Sequence, residues 1–522
     1  FRVRNRNLHK DRRRSNSQVN KMTSKGNLYT SYKEGFSKNL EGQFLYDGKG
    51  IEISYKELDS ETAKLANGLK KLGLSEGDRV TVQVDKCIEM VYLYFACIRS
   101  NIIFHPLNPA YKKKELSYFL DDARPSLFIS NEETISSISD LNLEHSIDHL
   151  FFLNADGSGN FLDIPTSEDN FITVDCSEDD IAALLYSSGT TGKPKGIMLS
   201  HGNLASNADS LVKTWGFNES DCLLHALPIY HVHGLFVALG CVLMSGSRLK
   251  WHDSFNTEEV LNSIPDCTVM MGVPTYYTRL LKNDLLDSDL TKKMRLFISG
   301  SAPLLEETFN EFNLRTNHRI LERYGMTETN MNTSNPLIGD RKPGTVGLPL
   351  DNVQVLVVDE ENNLLSQGEI GNLQVKGPNV FKGYWGMPEK TKEDFSEDGF
   401  FNTGDKGLID EDGYVSIIGR SKDMIISGGL NVYPKEVESL IDKMEEVQES
   451  AVIGINDEDL GEKVVAIIVA TEGARLGEKE VIAEIKSQLS GFKVPKEVKF
   501  IEQLPRNAMG KVQKNILRET YS

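Results

Sequence analysis

Ile181-Ala-Ala-Leu-Leu-Tyr-Ser-Ser-Gly-Thr-Thr-Gly-Lys-Pro-Lys-Gly196 passes from an apolar run into a loop crowded with hydroxyls, glycines and two lysines. The run Ile181 to Leu185 reads as a strand, so the loop sits at a strand-to-loop transition. Glycines at 189, 192 and 196 let backbone approach an anion closely. Ser187, Ser188, Thr190 and Thr191 offer O–H donors, and Lys193 and Lys195 offer charge. The pattern is not a Walker A loop, because only two residues separate Gly189 from Gly192 and Lys193 is followed by Pro194. A phosphate cradle of another kind is the reading, since flexibility alone does not require two lysines and four hydroxyls inside one glycine frame.

Working outward, residues 51 to 177 alternate helix and strand signals. Leu58, Leu65, Leu69 and Leu72 fall at helical spacing, and Val80, Val82 and Val84 alternate as a strand. The same rhythm continues past the loop, with strands at Thr268 to Met271 and Leu296 to Ile298, and it favours an α/β fold with largely parallel sheets. From about 344 to 418 short strands and turns suggest a small β-rich subdomain, with strands at Val353 to Val358, Gly371 to Val375 and Tyr414 to Ile418. After Gly419-Arg420 a fresh α/β segment begins, with strands near Ala451 to Ile455 and Val464 to Ala470 and a helix near Glu478 to Leu489. Three segments are expected: a basic, disordered stretch over 1–26, a large domain over 27–419 and a small mobile domain over 420–522. No internal repeat supports a solenoid.

The 522 residues carry a net charge of −18. Nine Lys/Arg and one acid over residues 1–26 contribute +8 there, leaving −26 for the remainder. A general nucleic-acid surface is therefore not expected. Residues 1 to 21 read as an upstream fragment or disordered tail, or alternatively as an organellar presequence, although no apolar helical face accompanies the arginines. The six cysteines form no Cys-x-x-Cys pair and no zinc-type cluster, which suggests reduced thiols and a cytoplasmic protein, with the mitochondrial matrix as the alternative if the N-terminus is a presequence. No apolar run approaches the roughly 20 residues of a membrane span, so no membrane partner is expected. An acidic body that binds polyanions must do so with local lysines, arginines and backbone N–H groups.

The loop Tyr186 to Gly196 resembles the signature of the adenylate-forming superfamily of acyl-CoA synthetases, peptide-synthetase adenylation domains and luciferases. The likeness runs from about residue 27 to the C-terminus. Leu227-Pro-Ile-Tyr-His-Val-His-Gly234, Val273-Pro-Thr-Tyr-Tyr-Thr-Arg279, Arg323-Tyr-Gly-Met-Thr-Glu-Thr-Asn-Met-Asn-Thr-Ser-Asn335 and Pro505-Arg-Asn-Ala-Met-Gly-Lys511 narrow it to malonyl-CoA synthetases. The resemblance implies ATP, Mg²⁺ and coenzyme A as cofactor and co-substrates, malonate as the acid, and no obligate carrier protein. Short-chain or aromatic monocarboxylates are the alternative substrates.

It also implies roles. Gly300, Ser301 and Ala302, with Arg323, Tyr324, Gly325 and Met326, would border ATP, Tyr324 stacking on adenine. Thr327 would donate to the α-phosphate and Glu328 would hold Mg²⁺. Asp405 would accept the ribose hydroxyls, with Arg420 near ribose and phosphates. Lys511 would stabilise the adenylation transition state, Lys422 would be the hinge between two domain poses, and Gly428 and Gly429 would line the CoA channel. His231 would orient the reacting carboxylate. The Pro-Thr pair starts a helix that would carry Arg279 in its first turns, where the guanidinium fork suits a second carboxylate.

Overall fold

The structure, a computed structural model, describes residues 26–187, 194–427, 430–457, 460–507 and 510–522. Residues 1–25 of the expected basic segment over 1–26, and the expected CoA-channel pair Gly428 and Gly429, lie outside the described residues. Gly26 belongs to the packed body: a Cβ there would stand 2.1 Å from the Cys176 carbonyl oxygen.

Two sheets form the large domain, as the alternating pattern predicts. One has nine strands and runs Leu348–Pro349, Asn330–Ser334, Leu321–Met326, Leu296–Ser299, Val269–Gly272, Cys222–His225, Arg248–Trp251, Gln43–Tyr46, Glu52–Ser54. Its interior pairs are parallel, and only the outermost strands turn antiparallel. The second, of seven strands, centres on Ile103–Pro106, Arg79–Gln83 and Leu127–Ser130, again parallel, with Gly196–Ser200 running antiparallel against Ile181–Tyr186. Central strands such as Leu127–Ser130 and Leu296–Ser299 are buried along their whole length, as sheets covered on both faces require. One continuous apolar core joins the two sheets through the helix Ile88–Arg99 and the segment His233–Ser245.

The β-rich stretch is a four-stranded antiparallel sheet of Gln354–Val358, Gly371–Lys376, Phe401–Ile409 and Val415–Arg420. The chain then makes a tight turn over Ser421–Asp423 and enters the small sheet at Ile425. Its strands Val447–Asp457 and Gly461–Ala470 pair over their length, and Glu497–Phe500 adds in parallel. The helices Pro434–Ile441, Glu478–Gln488 and Lys514–Tyr521 cover it, enclosing apolar clusters separate from the large core.

Parallel strands leave their carboxyl ends on one edge, where connecting loops converge into a crevice. Cys222–His225 leads to His231, Val269–Gly272 to the helix Pro274–Leu281, Leu296–Ser299 to Gly300 and Ser301, and Leu321–Met326 to Thr327 and Glu328. Sheet topology therefore gathers most of the expected site onto one rim.

Candidate active site

Ser187 and Lys195 close the base of the glycine-rich loop. The Ser187 N–H donates to the Lys195 carbonyl at 3.1 Å, and the Lys195 N–H donates to Ser187 Oγ at 3.3 Å. Ser188, Gly189, Thr190, Thr191, Gly192 and Lys193 lie outside the described residues. Tyr118 donates its hydroxyl proton to the Pro194 carbonyl at 2.6 Å, fastening the outgoing arm. The Lys195 ammonium lies 4.1 Å from the Tyr384 ring centroid and 3.7 Å from Asp394 Oδ2. Tyr384 and Asp394 went unnoticed in the sequence, where Gly383-Tyr-Trp reads only as a short aromatic turn.

Opposite the loop, the hairpin Leu321–Met326 and Asn330–Ser334 carries Thr327 and Glu328 in its turn. Gly325 is required for close packing, since a Cβ there would come within 1.9 Å of the Asn330 carbonyl oxygen. Glu328 is 7% exposed; burial pushes its carboxyl up, while Arg420, Lys195 and Lys511 favour its charged form. No ion pair consumes the carboxylate among the described residues. That suits a hard cation held by one carboxylate together with phosphate oxygens and water, the usual manner for Mg²⁺. Among the described residues no cluster of three or more His, Cys, Asp or Glu could hold a metal without such a ligand.

Arg323 is 3% exposed, and a Cβ on Gly300 would stand 2.4 Å from its Cζ, so the guanidinium lies flat against that glycine. Among the described residues neither its Nε nor its Nη2 has a hydrogen-bond partner. Burial pushes it down to about 9. Ser301 holds φ at +73°, a strained backbone for a residue with a side chain, and its Oγ lies 3.3 Å from His233 Nδ1. Ala302 follows, partly buried. His231 precedes the π-helical turn His233–Ala238, whose start is fixed by the His225 Nε2–H donating to the Gly234 carbonyl at 2.9 Å. Burial, then Lys511 and Arg323, push His231 down to about 3, so it is neutral at working pH.

Asp405 and Arg420 face each other across paired strands, with Arg420 Nε 2.8 Å from Asp405 Oδ1. Arg420 also donates to the Thr403 carbonyl at 3.1 Å. Tyr324 donates its hydroxyl proton to the other Asp405 oxygen. Both carboxylate oxygens thus have protein partners, and a ribose would share them. Met326 sits partly buried beside the Tyr324 hydroxyl.

Lys511 reaches this rim from the small domain. The preceding Gly510 packs on the start of the Pro274–Leu281 helix, where a Cβ would lie 3.2 Å from Thr275 Oγ1. Lys511 keeps contact with solvent, yet the walls of the crevice push its ammonium down to about 8, with Arg420 and Arg323 acting in the same direction and Asp405 and Glu328 opposing. Lys195, Arg323, Arg420 and Lys511 thus gather around Glu328 and Asp405, with Asp394 beside Lys195. In an acidic chain, that local surplus of positive charge fits a polyanion.

One expectation about Arg279 needs correction, its place in the helix. It lies in the last turn of its helix rather than the first turns, because the helix ends at Leu281. It is also exposed: Tyr277, Leu280 and Leu281 take the buried face, and residue 279 falls on the other. Arg323 carries a buried guanidinium whose Nε and Nη2 lack partners among the described residues. Lys422 is exposed in the turn that links the domains.

Residues 37–385 match the model of the AMP-binding enzyme family, and residues 436–511 match that of the AMP-binding enzyme C-terminal domain. The chain belongs to the AMP-binding enzyme family. Among its relatives, a malonate–CoA ligase of Arabidopsis thaliana is 34% identical, over 95% of this chain and 89% of that protein. Among solved structures, ATP-bound MatB of Rhodopseudomonas palustris is 48% identical and superposes with a TM-score of 0.92, over 95% of this chain and 99% of that one. The apo form of the same MatB, with the same identity and coverage, gives 0.83. The chain as a whole therefore superposes better on the ATP-bound form of that family member than on its apo form.

Proposed function

We propose that the chain is an ATP-dependent malonate–CoA ligase. A malonate oxygen attacks the α-phosphorus of ATP and pyrophosphate leaves; the CoA thiol then attacks the malonyl carbonyl and AMP leaves. The observation that carries the choice of acid is Arg323, a buried guanidinium with two nitrogens unpartnered among the described residues, in the same crevice as His231 and Lys511. An apolar acyl tail would leave that charge desolvated and unpaired, at a cost of several kcal/mol. A second carboxylate pairs with it through parallel hydrogen bonds. Exposed Arg279 would add charge at the rim of the pocket and steer dianions inward.

The nucleotide roles follow from where the charges converge. Lys195 and the glycine-rich loop would face the β- and γ-phosphates, Thr327 the α-phosphate, and Asp405 and Arg420 the ribose side. Tyr324 would stand against the base. Glu328 would hold Mg²⁺, which when bound supplies neutralisation of the phosphate charge. Neutral His231 would donate to or orient the reacting carboxylate. Lys511 would place its ammonium where charge grows as the α-phosphorus is attacked.

A monocarboxylate ligase is the rival, and it requires Arg323 to pair with ATP instead of with the acid. Acid-dependent ATP–pyrophosphate exchange across malonate, methylmalonate, succinate, acetate, butyrate and benzoate separates the two. Exchange strongest with malonate supports the proposal; exchange as good with butyrate or benzoate removes it.

A further inference from the structure

We propose that Asn379 is a positioning residue for adenylation, holding the Thr327–Glu328 turn at a fixed separation from Gly196, where the glycine-rich motif ends. Asn379 is 1% exposed. Its Nδ2 lies 2.7 Å from the Thr329 carbonyl, 3.1 Å from the Met331 carbonyl and 3.0 Å from Asn332 Oδ1, so its two N–H groups serve three acceptors on the far side of the turn. Asn330 Nδ2 returns a bond to the Asn379 carbonyl at 3.2 Å, and the Phe381 N–H donates to the Glu328 carbonyl at 2.8 Å. The turn residue that bears the metal-binding carboxylate is therefore held by its own backbone.

The same segment runs directly to the other phosphate element. The Lys382 N–H donates to the Met198 carbonyl at 2.9 Å, Gly383 and Tyr384 pair with Met198 and Ile197, and the Trp385 N–H donates to the Gly196 carbonyl at 2.7 Å. Gly196 is the last residue of the glycine-rich motif. From behind, Asn203 Nδ2 anchors the Pro378 and Val380 carbonyls, both at 2.8 Å. Residues 379 to 385 thus form one brace between Glu328 and Gly196. Among the described residues Asn379 Oδ1, Asn330 Oδ1, Asn332 Nδ2 and Thr329 Oγ1 have no hydrogen-bond partner, so burying this network carries a cost that apolar side chains of the same volume would not. What the network adds is a fixed geometry, and phosphoryl chemistry is sensitive to sub-ångström placement.

The test compares Asn379→Asp, which keeps shape but loses the donors, with Asn379→Ser, which keeps one. Val375→Ala, a buried strand position away from the site, controls for lost stability. Three quantities are read: ATP–pyrophosphate exchange at saturating ATP, capture by CoA of enzyme-bound adenylate formed beforehand, and the Mg²⁺ concentration needed for binding of a fluorescent ATP analogue. The expected result for N379D is exchange slowed about 30- to 100-fold, CoA capture retained within about threefold, and a Mg²⁺ midpoint raised about tenfold. N379S falls between N379D and wild type, and V375A shows no such split. Equal loss in both half-reactions, or behaviour matching V375A, overturns the proposal, and N379S alone decides it if N379D does not fold. The inference rests on the adenylation chemistry proposed above but not on the choice of acid. Wild-type protein without exchange on any acid would sink that reading, whereas an active wild type with unsplit variants sinks only this one.

Discussion

Lys511 shows how one residue's surroundings set a pH response. With the ammonium pushed down to about 8 in the ligand-free crevice, the charged form required for adenylation is lost as pH rises through that value. The ratio kcat/KM for ATP reports free enzyme, so it should fall with a single ionisation near pH 8. Bound polyphosphate favours the ammonium, so kcat should hold to higher pH. A profile for kcat/KM that stays flat to pH 10 contradicts this. Lys511→Ala should slow adenylation by about 10²- to 10³-fold, in line with loss of one preorganised donor, while CoA capture of preformed adenylate changes by less than tenfold. Quenched-flow measurement of each half-reaction checks it. At this scale the sequence was uneven. Lys511, Glu328, Asp405 and Arg420 were legible as charges in recognisable strings, and the structure brings them together. Arg279 was expected too early in its helix; Tyr277, Leu280 and Leu281 at helical spacing carried the signal that residue 279 faces away from the core.

At the scale of the element, the hairpin Leu321–Met326 and Asn330–Ser334 is the most constrained part of the site. Gly325 lies against the Asn330 carbonyl, so Gly325→Ala must push the two strands apart. Overpacking of this kind costs about 1–3 kcal/mol. Denaturant unfolding should show that loss, and exchange activity should fall by more than stability alone explains, because the Thr327–Glu328 turn moves with the strand. An unchanged midpoint with full activity contradicts the close packing. The sheet order, with strands ending at His225, Gly272, Ser299 and Met326 side by side, was expected only as alternation of strand and helix. Period-two and period-3.6 patterns fix which segments are strands, but pairing partners depend on contacts far apart in sequence. The same limit hid Asn379: in Gly377-Pro-Asn379 an asparagine reads as a turn residue, and its three acceptors lie about fifty residues away.

For the whole molecule the question is how the small domain is held. Arg420 is fastened to the large domain through Asp405 and the Thr403 carbonyl, while Arg518 lies 2.7 Å from Asp423 Oδ1 and fastens the linker to the small domain. A rotation of the small domain would then fall on Ser421 and Lys422, the two residues between these anchors. If the small domain swings away, Lys511 leaves the crevice walls and the neighbouring arginines, and its ordinary value of 10.5 returns. Between pH 8 and 10.5 the open pose then binds more protons than the closed one, so closure without ATP strengthens as pH rises through that window and is weakest below it. Small-angle scattering should show the compact form gaining population from pH 7.5 to 10 in wild type and not in Lys511→Met. The opposite trend contradicts the assignment of Lys511 to the closed crevice.

The most direct test of dicarboxylate recognition by Arg323 is kcat/KM for malonate and for butyrate in wild type, Arg323→Gln and Arg279→Gln. Removing a buried, paired guanidinium costs about 2–4 kcal/mol, so R323Q should lose about 30- to 1,000-fold on malonate, keep butyrate within a few-fold and leave KM for ATP unchanged. R279Q should lose about tenfold or less. Equal losses on both acids with a raised KM for ATP would make Arg323 a nucleotide ligand and contradict the dicarboxylate assignment.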